Sequence, residues 1–423
     1  MAAPVHGGEP FEEAPIFYSE TAPRDAAQRL ELMLQAGKAE VDRSDPWALL
    51  RDVLKAFKVP EESQVMVFSK TSHQNSRISP ETPRLVYFGD NAYVGYCPGG
   101  LIEVSTIDPQ LGPIFYVLDP DTPKNKPLHF QREQSCLSCH GGTFAQGVPG
   151  VLVRSVFPSP EGHPLMSQGS TLVDTTTPFE DRWGGWYVTG RHGESLHRGN
   201  VIAMEVGDHV EVDFEAGANV EDLSNFFNTR PYPRKTSDIV ALMVLEHQTS
   251  TQNALTRAAH NARRAMHMQT TLQRELGEEV QEEPTGTARR IIDHGAEDVL
   301  DALLFKDEAE LPEGGIEGDE GFQIAFTESA PHSSEGRSLK DFQLLNRLFK
   351  YRCSYMIYSL TFRHLPRQLK ETVMQRLDLV LAGQDETGRY DYLSESERGH
   401  IRTILADTLH GAPDAWKKAV ARR

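Results

Sequence analysis

The stretch RLVYFGDNAYVGYCPGGLIEVSTIDPQLGPIFYVL, residues 84–118, decides the fold class. Within it RLVYF (84–88), AYVGYC (92–97), LIEVSTI (101–107) and PIFYVL (113–118) are short runs rich in β-branched and aromatic residues. Glycine and proline separate them, and that punctuation reads as consecutive strands. The same texture continues on both sides, in QVMVFS (64–69), VLVRSVF (151–157), GWYVTG (185–190) and VIAMEV (201–206). Residues 61–235 therefore read as a strand-rich region.

Its flanks read as helical. In residues 1–60, an amphipathic pattern covers 25–36, and Asp45 caps WALLRDVLKAFK with Pro46 at the first helical position and Pro60 as the stop. In residues 236–423, Ser237 and Asp238 suit an N-cap before a helix running to about Leu276. TARRIIDHGAEDVLDALLF follows, with a break expected at Gly295. The acidic, Gly-rich stretch 306–336 reads as a loop or lid. Ser338 opens a further expected helix through LKDFQLLNRLFKYRCSYMIYSLTF, and two more are expected near 367–382 and 394–410. The fold class is α+β: a strand-rich centre, N-terminal helices and a mostly helical C-terminal half, as three regions or one continuous core.

The chain of 423 residues carries a net charge of −18. That balance disfavours nucleic acid or an anionic membrane as partner, because phosphate binding wants clustered Lys and Arg. It suits docking to a basic redox partner, or simply a solvated acidic surface. No apolar run approaches the ~18–20 residues that span a bilayer. The N-terminus MAAPVHGGEPFEEAP has neither a basic nor an apolar signal segment. Four cysteines, Cys97, Cys136, Cys139 and Cys353, are too few for a disulfide scaffold. Cys97 and Cys353 either pair or are both free.

Cys136-Leu-Ser-Cys139-His140 is a C-x-x-C-H sequence, the haem c attachment signature. Two thiols three positions apart on one turn reach the two vinyl groups of a porphyrin, and the adjacent imidazole lies under the iron. Zinc is a rival occupant, but a second pair of ligands at metal spacing is missing nearby. A redox dithiol would expect a βαβ context and a helix starting after the first cysteine, whereas the following Gly-Gly-Thr favours a loop.

Residues 136–140 resemble the c-type cytochrome signature. RISPETPRLVYFGDNAYVGY, QGVPGVLVRSVF, RWGGWYVTGRHG and SDIVALMVLEHQ resemble segments of large bacterial extracytoplasmic haem c proteins of unassigned function. The resemblance implies one covalent haem c on Cys136 and Cys139, His140 as an axial ligand, and a periplasmic or otherwise extracytoplasmic setting with a leader removed. It implies no particular reaction.

The other side of the iron decides between electron transfer and small-molecule chemistry. His247 is the first candidate there, because it follows an apolar run (239–245) that is hydrophobic all round and so buried. Glu246 beside it would be a costly buried carboxylate. Both are equally compatible with ordinary core packing. His192 is second, in RWGGWYVTGRHG, where Gly184 and Gly185 would allow close approach to a flat ring. Trp183, Trp186 and Tyr187 would pack on the haem edge or simply fill a β core. Met166, Tyr355 and Tyr358 are weaker ligand candidates. His260 and His267 sit among Arg257, Arg263 and Arg264 on a face that looks solvated. Arg132, Arg154 and Arg182 are candidate anchors for the haem propionates.

One attachment motif in a chain this long leaves much protein for a shaped pocket. The leading expectation is an oxidoreductase acting on peroxide, oxygen or a nitrogen oxide, with His247 as base and Arg182 or Arg191 as polar group. An electron-transfer cytochrome or haem-based sensor is the alternative, and a metal-stapled structural protein the third. G-x-S-x-G, P-loop and G-x-G-x-x-G signatures are absent.

Overall fold

A computed structural model describes residues 9–207 and 209–420. The stretch quoted above forms four strands, β2 (Arg84–Gly89), β3 (Ala92–Tyr96), β4 (Ile102–Asp108) and β5 (Gly112–Leu118), paired antiparallel in sequence order. β1 (Val65–Val67) and β6 (Gln131–Arg132) extend the sheet at either side. β9 (Trp186–Tyr187) pairs with β1, completing a seven-stranded sheet ordered β6-β5-β4-β3-β2-β1-β9. β7 (Val153–Val156) pairs with β8 (Ser170–Val173), and β10 (Ala203–Val206) with β11 (His209–Val212), as separate two-stranded ribbons.

Both faces of the sheet are covered. Because side chains alternate along a strand, Met66, Leu85, Tyr87, Val94, Tyr96, Val104, Ile114 and Tyr116 turn to one side. There they pack against α1 (Ala26–Gln35) and α2 (Pro46–Ala56), the latter capped by Asp45 as expected. Val65, Val67, Val86, Phe88, Tyr93, Ile107 and Phe115 turn to the other side. That face meets the C-terminal half, led by α4 (Ile239–Glu275), whose N-cap is Asp238.

α4 is apolar all round at its start and then becomes polar while staying buried, from Glu246 to Thr256. Buried polar groups need partners, and these side chains act as rivets. Gln248 donates to the Gly89 carbonyl (2.8 Å) and to Tyr93 Oη (3.0 Å). Gln252 donates to Thr361 (2.8 Å). Asn253 bonds both the N–H and the carbonyl of Val151, at 3.0 and 2.7 Å.

The helical half differs from the sequence expectation in four places. α5 (Gly286–Leu303) runs unbroken through Gly295. A Cβ there would lie 3.4 Å from that of Ala258, an ordinary contact, so Gly295 neither breaks the helix nor is demanded by its packing on α4. The expected loop 306–336 contains α6 (Glu320–Glu328), capped by Asp319. The helix expected from Ser338 does not form: residues 339–354 are irregular, with Lys340 and Cys353 buried. Its apolar residues recur at helix-like spacing, but the backbone does not follow. Only a 3-10 turn at Tyr355–Tyr358 and the short α7 (Leu360–Arg363) follow it. α8 (Arg367–Ala382) and α9 (Glu395–Thr408) stand where expected, and α10 (Asp414–Val420) was not foreseen. Among the described residues no helix is long and apolar enough to cross a membrane.

Candidate haem-attachment site

The C-x-x-C-H segment lies between β6 and β7. A 3-10 turn (Gln134–Cys136) leads into α3 (Leu137–His140), a single helical turn closed by Gly141. A helical turn does therefore follow Cys136, where a loop was expected. It is one turn long and connects to an antiparallel strand, so the βαβ setting of a redox dithiol is missing. Cys136 and Leu137 pack against the sheet face that carries α4. Cys139 is exposed, and all four cysteines of the chain are unpaired, Cys97 and Cys353 being buried.

His140 is held from several sides. Its Nδ1 donates to the Gly150 carbonyl at 2.8 Å, while the Gly150 N–H donates back to the His140 carbonyl at 2.8 Å. Its ring lies 4.8 Å from that of Phe115 on β5. The clamp extends inward, because Asn253 of α4 holds Val151, the next residue. Gly150 is needed for that closeness: a Cβ would fall 2.6 Å from Asn253 Oδ1. Burial pushes the imidazole below its usual pKa, so the ring is neutral near pH 7. With Nδ1 carrying the proton, Nε2 presents a lone pair and has no hydrogen-bond partner among the described residues. That is the tautomer a metal-ligating histidine needs, with the orienting carbonyl that usually accompanies it. Two free thiols and such an imidazole on consecutive turns fit a haem c.

One charged pair stands beside the motif. Arg84 and Glu103 are ion-paired on the α4 side of the sheet, where Gly95 leaves room for the guanidinium. Glu103 also accepts from Gln74 (3.1 Å) and Ser72 (3.2 Å). Both charges act on the Cys136 thiol and the His140 imidazole. Burial raises the Cys136 thiol to about 12, with Glu103 adding to the effect. His73 Nδ1 lies 3.4 Å from Ser135 Oγ, one residue before Cys136. Sequence reading missed this cluster. Its signal was charge inside otherwise apolar strands, Arg84 at the start of RLVYF and Glu103 within LIEVSTI.

The partners nominated from the sequence are engaged with other groups. His247 is buried, with Nε2 bonded to Ser354 Oγ at 2.7 Å and its ring stacked 4.3 Å from Phe305. His192 is saturated: Nδ1 donates to the Ser195 carbonyl (2.7 Å) and Nε2 accepts from the Asn219 N–H (3.0 Å). Neither bonds to Cys136, Cys139 or His140. Glu246 is a buried carboxylate as expected, and its partner is Arg182, 2.6 Å away. Burial raises Glu246 to about 7 despite that cation. Arg191 is exposed and pairs with Glu221. Met166 is 73% exposed. Tyr355 donates to Gln248 (2.8 Å), and Tyr358 bonds Thr408 (2.6 Å). His260, placed by the sequence on a solvated face, is buried instead, while His267 is exposed.

Gly184 and Gly185 admit protein rather than a flat ring. A Cβ on Gly184 would sit 2.0 Å from the Val156 carbonyl, and one on Gly185 would sit 2.6 Å from Ser69 Cβ. Trp183 packs against Phe179 and His197 in the core. The Trp186 indole donates to the Arg154 carbonyl at 2.8 Å. Arg132 turns to the N-terminal face, over the Tyr18 ring and bonded to the Tyr18 and Thr21 carbonyls. Arg154 is the arginine nearest in kind to a propionate anchor. Its guanidinium lies 4.4 Å over Phe144, just past the motif, and its buried Nε lacks a partner.

Among the described residues no group of three or more His, Cys, Asp or Glu side chains is arranged to hold a metal ion. The fold is an α+β sheet-and-helix body bearing a surface C-x-x-C-H turn. Compared with protein-family models, curated proteins and solved structures, the chain matches none.

Proposed function

We propose that this chain holds one haem c through Cys136 and Cys139, with His140 as an axial ligand, and acts outside the cytoplasm as an oxidoreductase on a small oxidant such as peroxide, oxygen or a nitrogen oxide. The observation that carries the reading is the His140 ring, clamped through Nδ1 with Nε2 free, beside two unpaired thiols. The bound group would supply an iron centre able to exchange electrons and to take a small ligand. Arg154 suits a propionate, since guanidinium matches carboxylate bidentately. Arg84 and Glu103 put one cation and one anion next to the motif, suited to polarising a ligand and moving a proton. His247 and His192 are engaged in the core, which favours a sixth position left for a small molecule.

A second reading, electron transfer or sensing, draws on the exposure of Cys139. An attachment turn at the surface puts one edge of the attached group within reach of a docking partner, and the net charge of −18 suits a basic one.

Protein matured with haem c attachment machinery is expected to give the haem c pyridine haemochrome spectrum, and C136S/C139S none. Lack of covalent haem in the unmodified protein overturns the reading. A high-spin ferric spectrum with prompt carbon monoxide binding supports the oxidoreductase. A low-spin spectrum indifferent to carbon monoxide transfers the assignment to electron transfer.

A further inference from the structure

A groove lies on the helical half, built by the Tyr355–Tyr358 turn, α7, α8 and the end of α9. Its volume is about 250 Å³. Ile357, Phe362, Met374 and Leu409 make an apolar floor, and Arg363, Lys370 and His410 stand around it. The Tyr358 and Thr408 hydroxyls, bonded to each other at 2.6 Å, add a polar spot on the wall. The attachment turn contributes nothing to this groove.

The charge at the rim is unbalanced. Lys370 Nζ bonds only to the Arg363 carbonyl, at 3.1 Å, and lies 5.8 Å over the Phe362 ring. Arg363 and Lys370 have no carboxylate partner among the described residues. Glu371, the acid next to Lys370, is taken by Arg367. The ammonium is held below its usual pKa, first by burial and then by the neighbouring Arg363 cation. Two adjacent cations without an anion, in a chain of net charge −18, are a local inversion of the surface. An anion settling there would relieve their repulsion.

We propose that this groove binds a small amphipathic monocarboxylate, its hydrocarbon part on the Phe362–Met374 floor and its carboxylate between Arg363 and Lys370. The size is consistent with that class: the cavity falls just below the ~300–1,000 Å³ of ordinary ligand clefts. A recognition helix, which needs a long trough for several side chains, is too large.

Octanoate is the probe, with octan-1-ol as control, titrated into the full chain carrying ¹³C-methyl methionine. The Met374 resonance, assigned with Met374→Leu, is expected to shift with octanoate at a Kd of about 1 mM or tighter. Octan-1-ol is expected to bind about tenfold more weakly, as is octanoate to R363E/K370E. Met374→Trp, which fills the groove, is expected to abolish binding and serves if the charge-reversed variant does not fold. A Met374 signal indifferent to octanoate, or equal binding of acid and alcohol, overturns the proposal. The experiment runs with or without haem, so its result is independent of the attachment reading.

Discussion

His140 shows how a single hydrogen bond sets chemistry. The Gly150 carbonyl accepts from Nδ1 and thereby hands the lone pair to Nε2. Elsewhere, burial governs titration. Glu246, Asp238 and Glu308 are each raised to about 7 by burial, while His197, His247 and His260 are each lowered to about 3. The raised carboxyls keep protons that the unfolded chain releases near its ordinary pKa, so their stabilisation is full in acid and lost as pH rises through about 7. The lowered imidazoles stay neutral where the unfolded chain protonates, so their contribution is full above 6.5 and lost as pH falls toward about 3. Between these ranges the two sets oppose each other. Urea unfolding across a pH series should therefore show a steep loss of stability as pH falls below ~4.5, where the raised carboxyls no longer oppose the imidazoles and the lowered carboxyls of Glu103 and Glu397 add to the loss. Stability unchanged from pH ~4.5 down to ~3 would contradict this. At Arg182, removing the partner with Glu246→Ala strands a buried cation and should cost about 3–5 kcal/mol in the same assay.

At the scale of elements, α4 positions the C-x-x-C-H turn. Asn253 replaces a missing strand partner for Val151, and Gly150 then reaches His140. Asn253→Ala removes two buried hydrogen bonds and should destabilise by about 1–3 kcal/mol, since each is worth ~0.5–1.5. In haem-loaded protein it should also shift the reduction potential, which a purely structural loss elsewhere would leave unmoved; Asn253→Asp, able only to accept, should restore the bond to the Val151 N–H alone. The α4–α5 contact gives a contrasting case. Gly295→Ala adds a Cβ at ordinary contact distance from Ala258. The gain in helix propensity, up to about 1 kcal/mol, should show as a higher Tm. Gly184→Ala faces a carbonyl at 2.0 Å and should lower it sharply. These glycines look alike in the sequence, and only their neighbours separate them.

For the whole molecule, the sheet is a shared wall. Its N-terminal face is covered by Leu49, Leu50, Val53 and Leu54 of α2, and its other face by α4 and the helices behind it. Removing residues 1–60 would bare the part of that apolar face under α1 and α2, and a patch beyond a few hundred Å² is an aggregation liability. The fragment 61–423 is expected to be insoluble or to lack a cooperative unfolding transition. A soluble fragment with a sharp transition would show that the sheet needs only its helical side.

The sequence by itself determined the α+β class, the strands between residues 64 and 118, the Asp45 and Asp238 caps, and the C-x-x-C-H spacing. These depend on neighbours in the chain: alternation, punctuation and local capping carry them. Tertiary structure alone decided which groups meet. Asn253, Arg84 and Glu103 come to the motif from distant parts of the chain, whereas His247 and His192, promising by their neighbours in sequence, spend their nitrogens inside the core. The irregular segment 339–354 looked helical for the same reason. Apolar spacing alone does not say where the backbone finds its hydrogen bonds.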